Sequence, residues 1–168
     1  MESRLKLLGH PVHPMLVIFP LGLFVTAVIF DFADMVGGPA LLGEVAYWNI
    51  VAGLIGGLLA APAGLVDFLG IPNGTRAKRV GLMHAAVNAG VMVLFAVAWF
   101  VRMGTDGHVT SGWLFLVELI ALAGGGVGAW LGGELVDRLG VGVDPDASLN
   151  APASLETGLV TRSRPLAR

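Results

Sequence analysis

Three histidines and one carboxylate are the residues of this chain whose types and placing could do chemistry. His10 and His13 stand in the segment GHPVHP, and His84 stands four residues before Asn88 in GLMHAAVN. Residues four apart share a helix face, so His84 and Asn88 point together. Three neutral imidazoles at one level would bind a transition metal, and two from facing helices would ligate a haem iron. Pro14 suits a first helical position and disfavours helix at His13, so both N-terminal imidazoles are expected on an extended entry segment. The bland alternative makes His10 and His13 interfacial caps and His84 a hydrogen-bonded packing residue. Glu118 lies well inside an apolar run, as a neutral packing group, half of an ion pair, or a proton carrier. Asp67 and Glu134 fall at run ends near the histidines and are polar support for them. Asp31 and Asp34 sit at another run end, where solvated boundary groups are expected.

The elements that must position these residues follow from composition. Of 168 residues, 55% are hydrophobic and 13% charged, about half the charge of a water-soluble domain. Mean hydropathy is +0.81. Crossing about 30 Å of hydrocarbon takes roughly 20 apolar residues as a helix. Four runs qualify, about 14–36, 45–68, 80–101 and 112–136. The expected fold is therefore all-α, an integral membrane four-helix bundle, with a transmembrane domain over 1–143. The Gly-, Ala-, Ser- and Pro-rich stretch 144–168 is expected to be a flexible cytoplasmic tail. The apolar run at the start reads as a retained span rather than a cleaved signal, because no small-x-small site ends it. No repeat of 20 to 50 residues is visible.

Arg4, Lys6, Arg76, Lys78, Arg79 and Arg138 flank the spans on one side, against Arg102 alone on the other. The bias predicts both termini in the cytoplasm. Small residues four apart, such as Gly53 and Gly57, and Gly124, Gly128 and Gly132, predict close helix contacts within the bundle, with a homo-oligomer seam as the minority use. Pro20 and Pro62 predict kinks.

Several chemistries are excluded. The chain has no cysteine, hence no thiolate metal site, no disulfide and no cysteine nucleophile. A net charge of −2 gives no footprint for nucleic acid. No serine stands in a nucleophile elbow and no carboxylate pair in a soluble cleft, so no intrinsic enzyme constellation is found.

The stretches GHPVHPMLVIFPLGL, APAGLVDFL, GLMHAAVN and GGELVDRLGVGV, with the acidic exit at Asp31 and Asp34, resemble the bacterial membrane family known as domain of unknown function 2231, over about residues 7–144. The resemblance implies four transmembrane helices, a bacterial inner membrane and no established activity. Some members carry a Rieske-type iron–sulfur domain after the GVGV stretch, which implies redox surroundings. This chain departs there, having no cysteine and so no iron–sulfur cluster of its own. The family histidines carry over to His10, His13 and His84. The leading expectation is thus a small redox accessory with b-type haem or a non-haem metal ion at His10, His13 and His84, beside redox membrane proteins in the bilayer. The alternative is a structural or assembly partner, or a conduit for protons or a small solute through Glu118.

Overall fold

A computed structural model describes residues 1–155; the last part of the expected tail, residues 156–168, lies outside the described residues. Four long helices dominate: α1 Val12–Met35, α2 Leu41–Gly70, α3 Arg76–Arg102 and α4 Gly112–Gly133. A π turn, Glu134–Arg138, extends α4, and a single 3₁₀ turn, Asp106–His108, caps the connection from α3 to α4. All four helices are long and apolar enough to cross a bilayer. The protein is an all-α, integral membrane four-helix bundle.

Its apolar side chains confirm which solvent it meets. Ile18, Phe19, Leu58, Phe100 and Trp130 are all more than half exposed, whereas Asp31, Arg102 and Glu118 are fully buried. Water would invert that arrangement; hydrocarbon favours it, because only the polar groups then need shelter.

The helix ends follow local chemistry. Thr75 accepts the backbone N–H of Lys78 through Oγ1 and starts α3. At α1 the structure corrects the expected extended entry: the helix begins at Val12, so His13 is helical and Pro14 falls in the first turn. The first four N–H groups of a helix have no internal partner, so Pro14 removes no bond there. Ahead of α1, Lys6–Leu7 (β1) and His10–Pro11 (β2) form a short antiparallel hairpin, turned by Leu8 and Gly9 at positive φ. The α-amino group of Met1 donates to the carbonyl of Gly140, tying the first residues to the chain after α4. Helices α1 and α2 continue through Pro20 and Pro62.

The core reveals an order that short repeats do not carry. Helix α1 packs chiefly on α2, and α3 on α4. Between these hairpins, Phe24 stacks on Phe95 with ring centroids 4.0 Å apart. Asp31 pairs with Arg102, 71 residues on, and His13 meets His84 at the same offset. The offset holds at other buried positions: Ala27 with Ala98, Tyr47 with Glu118, Ile50 with Ala121, Ala60 with Leu131. The chain is therefore two helical hairpins in tandem. Equivalent residues meet one another along α1 and α3, which run parallel, as they do across a two-fold interface.

Candidate functional site

Two polar pairs close the two ends of the α1–α3 seam. From His13 to Asp31, and from His84 to Arg102, is 18 residues of helix, about 27 Å, close to the thickness of the hydrocarbon. Between them the seam is apolar, filled by Phe24, Phe95, Ala27 and Ala98.

At the end nearer the termini, the His13 and His84 rings lie 6.3 Å apart, nearly perpendicular. His13 Nδ1 is 3.1 Å from the carbonyl oxygen of Ala60 on α2, and His84 Nδ1 is 2.9 Å from that of Gly128 on α4. An N–H at Nδ1 of each ring satisfies these contacts and leaves Nε2 as the basic nitrogen, the tautomer metal-bound histidines use. Small residues make the room. A Cβ on Gly64 would strike the His13 ring, one on Gly128 the Asn88 amide, and one on Gly132 would press on His84. The glycines of α2 and α4 thus let imidazoles approach the backbone, which is the in-bundle use of the spacing.

The remaining expected residues distribute differently. Asn88 Nδ2 donates to the carbonyl of His84 and lies 3.4 Å from both ring nitrogens, over the ring. His10 is exposed on β2, 3.4 Å from Ser154 Oγ, and does not join the imidazole pair. Asp67 accepts the Ser3 hydroxyl and the backbone N–H of Arg4, so it anchors the N-terminal segment. Glu134 pairs with Arg76. Among the described residues, no group of three or more His, Cys, Asp or Glu is placed to hold a metal ion.

The opposite end holds a fully buried ion cluster. Arg102 donates from Nη1 to Asp31 Oδ2 at 2.7 Å and to Glu118 Oε1 at 3.2 Å, and from Nη2 to Asp31 Oδ1 at 2.8 Å. Its Nη2 also donates to the Gly43 carbonyl, and its Nε to the His108 carbonyl at 2.7 Å. All five guanidinium N–H groups are thereby used. Glu118 accepts from Arg102 through Oε1, has Thr110 Oγ1 3.5 Å from that oxygen, and keeps Oε2 without a hydrogen-bond partner. Asp31 is a correction: it is fully buried, not a solvated boundary group. The bidentate bond to Arg102 makes that burial tolerable.

Sequence reasoning missed Arg102 as a site residue, because a lone cation at a span end reads first as a topology signal. What could have found it is level: it shares a depth with two carboxyls on other spans, and an unpaired charge there is costly.

A family model described as "Predicted membrane protein (DUF2231)" matches residues 9–145 of the chain. No curated protein and no solved structure matches it.

Proposed function

The chain belongs to the DUF2231 family of predicted membrane proteins, and on that premise we propose that it is a small metal-binding accessory of a membrane redox system, holding one transition-metal ion between His13 and His84. One observation carries the reading. The two imidazoles face each other across the seam at 6.3 Å, each with Nδ1 against a backbone carbonyl. A metal about 2 Å from each of two imidazole nitrogens sets ring centres roughly 6 Å apart. Imidazole suits copper, iron, zinc and nickel, and the chain offers no thiolate. Water would complete the coordination, with Asn88 over the His84 ring as a neighbour rather than a ligand.

A bare ion fits this place better than a haem. A macrocycle needs a slot of several hundred Å³. A groove of about 510 Å³ between α2 and α3, lined by residues such as Leu54, Met92 and Trp99, includes neither histidine. His10, exposed on its hairpin, is available to an incoming ion or partner rather than to the pair. In this reading the imidazole end faces the cytoplasm, as the arginine and lysine bias predicts, and the membrane is a bacterial inner membrane.

The test is elemental analysis and a reduced-minus-oxidised absorption spectrum on one detergent-purified sample, for wild type and for His13→Ala with His84→Ala. About one equivalent of copper or iron in wild type, lost in the double variant, supports the proposal. Metal retained by the double variant overturns it. Haem bands would replace the ion by a b-type haem.

A further inference from the structure

We infer that Asp31, Arg102 and Glu118 form a buried proton-binding site, loaded from the end of the bundle capped by His108, in which Glu118 takes the proton and Asp31 shares it. The inference is independent of the metal reading, whose residues lie at the other end of the seam.

Charge and geometry argue it together. The cluster holds one guanidinium and two carboxyls, all fully buried. Arg102 balances one carboxylate, and the second leaves a net charge away from water unless it carries a proton. The two carboxyls do not share the guanidinium equally. Asp31 receives a bidentate pair of short bonds, whereas Glu118 receives one at 3.2 Å on a single oxygen. Oε2 of Glu118 is buried with no partner, while Oε1 of Glu118 and Oδ2 of Asp31 accept from the same Nη1 of Arg102, which sets the two carboxyls side by side. A proton on Glu118 brings the cluster to neutrality and leaves its buried, unpartnered oxygen without a bare charge. The step is the transfer of one proton from water or a buffer acid to a carboxylate oxygen, and its reverse; no electron moves.

The surroundings define the route. Toward the other end, the Phe24–Phe95 stack and Ala27 and Ala98 pack the seam without a polar group, so the proton enters and leaves by one side. On that side α2 contributes Glu44 and Tyr47, α1 contributes Asp34, and the α3–α4 connection contributes His108 and Thr110. His108 is only partly exposed; its Nδ1 lies 2.9 Å from Glu44 Oε2 and its ring stacks on Tyr47 at 4.0 Å. The same residue's carbonyl accepts Arg102 Nε, and its φ of +52° is one few side chains adopt. One residue thus has a part-exposed ring and a backbone carbonyl on the buried cation. His108 is the cap of the site, and Glu44 and Tyr47 hold it shut.

The test is an infrared difference titration of the full chain in lipid nanodiscs, from about pH 9 to about pH 4, in water and in deuterium oxide. The expected result in wild type is a protonated-carboxyl C=O band that exchanges slowly with deuterium. It is absent in Glu118→Gln and changes frequency in Asp31→Asn. His108→Ala, which removes the ring held by Glu44 and Tyr47, speeds the exchange of that band about tenfold. A wild-type spectrum without such a band, a band unchanged in Glu118→Gln, or an exchange rate unchanged in His108→Ala overturns the proposal. Should Glu118→Gln fail to fold, carboxyl-¹³C glutamate in wild type replaces it: the slowly exchanging band must shift on labelling, and an unshifted band refutes the assignment.

Discussion

Arg102 is the residue on which one end of the bundle turns, because it alone supplies donors to two buried carboxyls and two backbone carbonyls. Removing one partner of a buried ion pair costs about 3–5 kcal/mol, since the other charge stays desolvated, whereas replacing both by apolar groups is often neutral. Arg102→Leu is therefore expected to lower unfolding free energy by about that amount. Arg102→Leu with Asp31→Leu should regain most of the loss, apart from what unpaired Glu118 still costs. Reversible unfolding in mixed detergent measures both, and a double variant as unstable as the single would show that the pair does not set the cost. At the same scale, Ser3 and the Arg4 N–H on Asp67 explain why that carboxyl, placed near the histidines by span arithmetic, does not serve them.

Helix against helix, the seam is set by what glycine leaves open. On α4, a Cβ at Gly128 meets the Asn88 amide, while one at Gly125 meets nothing within 4 Å. Gly128→Leu should push α4 from α3 and cost about 1–3 kcal/mol, in the range of overpacked cores. Gly125→Ala should be neutral or slightly stabilising, through helix propensity. The same unfolding assay separates them, and equal effects would refute the packing account. Phe24→Ala is expected to cost about 2–4 kcal/mol, below or within the usual range for a buried phenylalanine, because lipid weakens the solvent share and leaves the lost stacking. An effect under about 1 kcal/mol would mean that the two hairpins are held elsewhere.

For the whole molecule, the 71-residue correspondence predicts that each hairpin is a unit. Residues 1–73 and 74–168, expressed together as separate chains, are expected to insert and co-purify, since α1 packs mainly on α2 and α3 on α4. Failure to co-purify, with both pieces stably inserted, would contradict this. The absence of native cysteine makes orientation directly readable. Gly74→Cys should react with a membrane-impermeant thiol reagent only from the cytoplasmic side, and Gly104→Cys only from the other; the reverse pattern would invert the bundle.

What the sequence determined by itself is that four helices are apolar enough to cross a bilayer, and the family. Each of these is a property of local composition: about 20 apolar residues in a row must leave water whatever they pack against. The histidines and Glu118 were also legible as candidates, because polar groups in such runs are few. Which of them meet was decided only by the tertiary structure. Residues on a helix turn by about 100° per position, so a partner across the bundle depends on how each helix is rotated and set in depth. That setting comes from close contacts of Gly64, Gly128 and Phe24 with other helices, not from any stretch of chain read alone. It joined His13 to His84 but left His10 outside, and it took Asp31 from the surface and closed it against Arg102.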